Sequence, residues 1–326
     1  MDSVRDFQSQ VLFTDEANFE ERALALFRWQ AVNNPVYQQY LAYRQIDTEK
    51  VQAVRQIPFL PIQFFKYHSV LSTSEPVETV FESSGTTGQQ RSRHAVTSLS
   101  FYHRVCQSIF EARFGPLSSY HILALLPSYL ERKNASLVSM VDYFIRQSRS
   151  PYSGFYQHDY QGLMNTLSVA TGRKVLLIGV TFALLELAER YQPNLEEVII
   201  LETGGMKGRR KEMIRPEVHQ LLREQTHAGH IYSEYGMTEL LSQAYTQDNT
   251  HFQPPPWMQI FTREMSYPLA LTPRQGGINV IDLANVHSCA FLETQDIGKS
   301  FPDGTFEVLG RFDHSDVRGC NLMLSL

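Results

Sequence analysis

The 326 residues, 43% of them hydrophobic, suffice to bury a large core in one large domain or two ordinary ones. A net charge of -5 and a pI near 6.1 argue against reading a nucleic-acid backbone as the main role, because such domains carry a basic excess. Three cysteines, Cys106, Cys289 and Cys320, are too few and too scattered for a disulfide framework or a Cys-x-x-Cys metal site, although one of them can still serve as a nucleophile.

The amino terminus, Met1-Asp2-Ser3-Val4-Arg5-Asp6, has no basic start followed by an apolar run. Runs such as Val175-Leu176-Leu177-Ile178 fall far short of the roughly 20 residues of a membrane span, so the expectation is a cytoplasmic protein with no span. Residues 1–80 read as a helical and then irregular cap on a larger body. Glu20 to Val32 puts Ala23, Leu24, Phe27 and Ala31 on one helical face, and Asn33-Asn34-Pro35 stops it. The prolines in Ile57 to Phe65 point to a buried extended connector.

From Tyr120 the pattern alternates. His121 to Leu126 reads as a strand, and Asn134 as the cap of a helix that turns Leu137, Met140, Val141, Phe144 and Ile145 inward. Lys174 to Gly179 is the next strand, Thr181 to Tyr191 a helix, Val198 to Leu201 a strand, and Arg215 to Gln225 a helix. This predicts α/β layers around a largely parallel sheet. After Pro254-Pro255-Pro256 the pieces Ile278 to Leu283, Ala290 to Glu293 and Phe306 to Leu309 predict a β-rich subdomain.

Chemistry concentrates at a few places. Ser83-Ser84-Gly85-Thr86-Thr87-Gly88 offers backbone N–H groups and hydroxyls to an anion, or forms a plain surface turn. It is not a Walker A loop, since Gln89 stands where that motif needs lysine. Tyr235-Gly236-Met237-Thr238-Glu239 follows a strand and combines an aromatic ring, a hydroxyl and a carboxylate suited to a base, a phosphate oxygen and Mg²⁺; a helix entry is the bland alternative. Glu202-Thr203-Gly204-Gly205 also follows a strand, at the end where open α/β sheets bind ligands, or is only a turn. Arg91-Ser92-Arg93-His94 and Lys207 to Lys211 are basic clusters that suit either a small anion or solvent.

Together these segments resemble the adenylate-forming superfamily of acyl-CoA synthetases and luciferase-like ligases. The resemblance implies that Ser83, Ser84, Gly85, Thr86, Thr87 and Gly88 grip the phosphates of ATP, and that Gly204, Gly205, Tyr235, Gly236 and Thr238 surround the nucleotide. It further implies that Glu239 is catalytic and holds Mg²⁺, and that Asp296 in Thr294-Gln295-Asp296-Ile297-Gly298 and Arg311 in Gly310-Arg311-Phe312-Asp313 bind the ribose. It divides the chain into a cap (1–80), an adenylation core (81–309) and a hinge with a short tail (310–326).

Two departures sharpen the likeness. The usual Pro-Lys-Gly after the phosphate loop is replaced by Gln89-Gln90-Arg91-Ser92-Arg93, which leaves Arg91 or Arg93 to supply the charge. The lysine-bearing lid domain of acyl-CoA synthetases has no counterpart in the residues from Phe312 to Leu326. Leu126-Pro127-Ser128-Tyr129-Leu130-Glu131-Arg132 and the terminal Arg318-Gly319-Cys320-Asn321-Leu322 look most like the acyl-protein synthetase family of the bacterial bioluminescence fatty-acid reductase, with similarity to phenylacetate-CoA ligase as well. That likeness implies ATP-dependent activation of a fatty acid, catalytic transfer to Cys320, and then transfer to an acceptor such as a reductase subunit or carrier protein. A tail from Asp313 to Cys320 reaches at most about 24 Å. The rival expectations are a lidless acyl- or aryl-CoA ligase and a non-catalytic nucleotide-binding scaffold.

Overall fold

The structure is a computed structural model of the chain that describes residues 4–83, 90–127, 134–204, 213–248, 250–266 and 270–312. Helices α1 (Val4–Gln10), α2 (Glu16–Asn33) and α3 (Pro35–Tyr43) come first. A capping box starts α2: the Asp15 carboxylate accepts from the Asn18 N–H, and the Asn18 side chain accepts from the Asp15 N–H, both at 3.0 Å. Asn34 then ends α2 and caps α3, taking the Tyr37 N–H at 3.0 Å, while Pro35 occupies the first turn where its missing N–H costs nothing.

The connector that follows holds a two-residue strand, β1 (Leu60–Pro61), and one helical turn, α4 (Phe64–Tyr67). Ile57, Phe59, Leu60, Ile62 and Phe65 are buried, as the proline-rich apolar run predicts. Strands β2 (Thr79–Glu82) and β3 (Arg93–Val96) pair as an antiparallel hairpin. Helix α5 (Leu99–Phe114), capped by the Ser98 hydroxyl, has no counterpart among the sequence expectations.

The alternating segment folds as β4 (Tyr120–Leu125), α6 (Ser136–Ser148), β5 (Gly154–Phe155), α7 (Tyr160–Val169), β6 (Lys174–Val180), α8 (Thr181–Tyr191), β7 (Val198–Thr203), α9 (Arg215–Thr226) and β8 (His230–Tyr235). Asn134 does not cap α6. The helix starts after Ala135 without a side-chain cap, and the Asn134 carbonyl instead accepts the Glu82 N–H at 2.9 Å, tying this turn to the hairpin. The remaining strands are β9 (Ala244–Thr246), β10 (Phe252–Gln253), β11 (Met258–Arg263), β12 (Gly276–Asp282), β13 (Phe291–Ser300) and β14 (Phe306–Arg311).

Among the described residues these strands make one continuous sheet in the order β11-β12-β13-β14-β10-β9-β8-β7-β6-β4-β5, with β1 alongside β13. Pairing is parallel from β5 to β8 and antiparallel from β8 to β11, so the β-rich part extends the parallel layer rather than standing apart from it. Every residue of β4 is buried, as expected of a parallel strand covered on both faces. The amino-terminal helices pack on the antiparallel end, where the Phe27 and Tyr37 rings lie 5.9 and 6.1 Å from that of Phe291. The Gln30 amide there donates to the Asn285 carbonyl and accepts the Ala290 N–H, each at 2.9 Å, and the Asn34 amide donates to the Ser288 carbonyl. No described helix is long and apolar enough to cross a membrane.

Candidate active site

The parallel register brings the carboxyl ends of three strands level: Val180 faces Thr203, and Thr203 faces Glu234. The residues immediately beyond, Thr181, Gly204 and Tyr235, therefore share one edge, where open α/β sheets place their ligands. The Thr181 hydroxyl donates to the Gly204 carbonyl at 3.0 Å and contacts Glu202 Oε1. Gly204 has φ +77°, a left-handed conformation that glycine adopts freely. A Cβ at Gly236 would lie 2.2 Å from Glu234 Oε1, so any other residue there would displace that carboxylate.

Three of the expected nucleotide-site residues meet across this edge. The Tyr235 hydroxyl donates to Asp296 Oδ2 at 2.8 Å, and Asp296 faces Arg311 across β13 and β14, with Arg311 Nε 3.9 Å from Oδ1. Burial raises the Asp296 pKa, and Arg311 opposes the rise. The Tyr235 ring packs against Phe306 and Phe252 at 5.2 and 5.8 Å. The Arg311 side chain remains 67% exposed, free to reach toward a ligand.

Glu239 sits in the turn after β8 and is 6% exposed. Burial raises its pKa, while the nearby Ser92 hydroxyl and, to a smaller degree, Arg311 oppose the rise. The backbone around it is fastened by side chains from remote segments. His94 Nδ1 lies 2.8 Å from the Thr238 carbonyl, and the Asn285 amide donates to the Glu239 carbonyl at 2.8 Å. Asp282 takes the N–H groups of Leu241 and Ser242 at 3.1 and 2.9 Å and the Ser242 hydroxyl at 2.7 Å. None of Ser92, His94, Asp282 and Asn285 is among the residues predicted for the site. Ser92 and His94 fall in the basic cluster Arg91-Ser92-Arg93-His94, and their period-2 spacing puts both on one side of the chain.

Ser83 lies at the end of the β2–β3 hairpin, its hydroxyl accepting the Ser92 N–H at 2.9 Å. The hairpin thus sets the start of the Ser/Thr/Gly segment beside Glu239. Ser84, Gly85, Thr86, Thr87, Gly88, Gly205 and Cys320 lie outside the described residues. Arg91 and Arg93 both lie 3.7 Å from Glu82, at the mouth of the same hairpin. Cys106 and Cys289 are buried, with thiol pKa values pushed up by burial, to about 12 for Cys289, so neither is a ready nucleophile.

Among the described residues no group of three His, Cys, Asp or Glu side chains could enclose a metal. One buried carboxylate, Glu239, does fit Mg²⁺, which takes one or two carboxylates and draws its other ligands from water and substrate phosphates. Glu239 would hold the ion, and the ion would supply charge neutralisation at the phosphates.

Beneath this edge lie two further carboxylates. Glu202 accepts from the Thr181 hydroxyl and, at 2.9 Å, from the Ser233 hydroxyl, and burial raises its pKa. Glu234 accepts from the Thr203 hydroxyl, and burial, with Glu202 adding repulsion, pushes its pKa to about 7. Below about pH 4.5 Glu234 is neutral folded or unfolded, so its neutral form costs nothing there. As pH rises to about 7 the unfolded chain gives up a proton that the folded chain keeps, and stability falls by about 3 kcal/mol. Glu234→Gln should therefore raise the melting temperature at pH 8 and leave it unchanged at pH 4; equal shifts at both would contradict this assignment.

The sheet and its helices have the adenylate-forming fold. The similar solved structures include 2-hydroxyisobutyryl-CoA ligase in complex with 2-HIB-AMP and CoA, at TM-score 0.67 and 12% identity over 94% of this chain and 78% of that one. ATP-bound MatB from Rhodopseudomonas palustris matches at TM-score 0.55 and 15% identity over 73% of this chain and 49% of its own. O-succinylbenzoate coenzyme A synthetase (MenE) from Bacillus subtilis, in complex with AMP, matches at 0.52 and 18% over 75% and 51%. The chain spans about half the length of MatB and MenE. No family model and no curated protein matches the sequence.

Proposed function

We propose that the chain uses ATP to activate an apolar, fatty carboxylic acid and then passes the acyl group to a thiol. The observation that carries this reading is the convergence of Gly204, Tyr235, Glu239, Asp296 and Arg311 on one edge of a fold shared with ATP-, AMP- and acyl-adenylate-bound proteins. In the first step a carboxylate oxygen attacks the α-phosphorus, the bond to the bridging oxygen breaks, and pyrophosphate leaves. In the second a thiolate attacks the acyl carbonyl, and the bond to AMP breaks.

Tyr235 and Gly204-Gly205 border the base, Asp296 and Arg311 take the ribose, and Ser83 to Gly88 with Thr238 take the phosphates. Glu239 holds Mg²⁺. Residues 1–80 serve as cap, 81–309 as adenylation core and 310–326 as hinge and tail. Cys320 is the first acceptor and a reductase subunit or carrier protein the next, a role supported by the resemblance of the carboxyl-terminal sequence to acyl-protein synthetases. A second reading, acyl transfer to coenzyme A, is favoured by the likeness to a ligase bound to CoA over 94% of this chain.

Acid-dependent exchange of labelled pyrophosphate into ATP, run over a panel of acids, tests the first step, and absence of exchange with every acid overturns it. Incubation with ATP and a radiolabelled fatty acid tests the second. Covalent label should appear on the wild-type chain and vanish in Cys320→Ser; label that survives the substitution removes Cys320 as the acceptor, and acyl-CoA formed instead when coenzyme A is added favours the second reading.

A further inference from the structure

The turn that carries Glu239 is held from the hairpin side by His94, and Ser92 stands beside it. They stand two apart on extended chain and so project to the same side. The Ser92 hydroxyl opposes the rise in the Glu239 pKa, and His94 Nδ1 lies 2.8 Å from the neighbouring Thr238 carbonyl. A carbonyl only accepts, so Nδ1 of His94 carries the proton. Nε2 is then an acceptor, and Ser288 Oγ, 3.0 Å away, donates to it. The ring is 2% exposed, lies edge-on to Phe65 at 5.5 Å, and burial pushes its pKa down to about 4, which keeps it neutral near pH 7. Ser288 is itself anchored, its carbonyl accepting the Asn34 amide at 2.9 Å and the Ser72 hydroxyl.

We propose that His94 is a positioning residue for the activation step proposed above: through the Thr238 carbonyl it locks the Glu239 turn to the β2–β3 hairpin, so that the two sides of the phosphate site stay in fixed register. The inference rests on that reading of the site. Its bland competitor is a core histidine that only satisfies two buried neighbours. The competitor treats the two ring nitrogens alike, whereas the lock depends on Nδ1 alone.

Two substitutions separate the nitrogens. An asparagine amide can stand in for Nδ1 and keep the Thr238 bond; a glutamine amide reaches the place of Nε2 and keeps the Ser288 bond. His94→Gln should lower kcat for acid-dependent pyrophosphate exchange by about 10-fold or more while KM for ATP changes little, as expected of a misplaced catalytic group. The conservative His94→Asn should recover most of that loss at a comparable melting temperature. Equal kcat losses in the two variants overturn the proposal. Amide hydrogen exchange at Leu241 and Ser242, whose N–H groups bond Asp282, provides a readout independent of activity. It should be about 10-fold faster in His94→Gln than in His94→Asn, and equal protection overturns the lock. If wild-type protein shows no pyrophosphate exchange, the functional reading fails, and the hydrogen-exchange comparison still decides the role of His94.

Discussion

Glu239→Gln is expected to lower acid-dependent pyrophosphate exchange by at least ~100-fold, the scale on which removing one charge-stabilising group reduces kcat. The substitution is nearly isosteric, and the amide oxygen can still accept from the nearby Ser92 hydroxyl. Burial already disfavours the charged form, so the neutral amide should not lower the melting temperature. Loss of activity with retained stability is the signature of a site carboxylate. A Glu239→Gln variant within twofold of wild-type activity would remove Glu239 from the reaction, and with it the proposed magnesium position.

Asp296→Ala should raise KM for ATP about 10- to 100-fold, because hydrogen bonds to a charged group are worth about 1.5–3 kcal/mol. It also strips the Tyr235 hydroxyl of its acceptor in a residue only 7% exposed, so some stability is lost as well. Asp296→Asn separates the two effects. Its amide oxygen can still take the Tyr235 proton, which preserves the packing of Tyr235 on Phe306, while the charge that faces Arg311 is gone. Steady-state kinetics of both variants check this: a fall in kcat with KM unmoved in either would contradict a ribose-binding role.

The parts of the fold that were legible from the sequence are those with a strong period and clear punctuation. Thr181–Tyr191 forms a helix with the predicted limits, and Lys174–Val180 and Val198–Thr203 are strands extended by one or two residues beyond their apolar runs. The extension ends on Glu202 and Thr203, polar residues that an apolar count stops short of and that a parallel ladder still accepts. Helix α5 escaped because Phe101, Tyr102, Val105, Ile109 and Phe110 have low intrinsic helix preference, and burial against the sheet overrides it. The antiparallel strands after Pro256 read as a β-rich subdomain because their sequence texture changes. Phe252 pairs with Thr246 on one side and Phe306 on the other, and that short β10 makes them one sheet with the rest.

The family resemblance singled out Asp296 and Arg311; by itself the sequence determined the chemistry available: hydroxyls and glycines after Phe81, and an aromatic, a hydroxyl and a carboxylate from Tyr235 to Glu239. These are local patterns of donors, acceptors and charge, and each can be read without knowing where the chain goes. Only the tertiary structure decided how they are held. Tyr235 meets Asp296 although three strands stand between β8 and β13 in the sheet order, and Glu239 is fixed by His94 from one distant segment and by Asp282 and Asn285 from another. A buried backbone group must be paired by whatever side chain folding brings to it, and that partner is chosen by topology, not by neighbourhood in the chain.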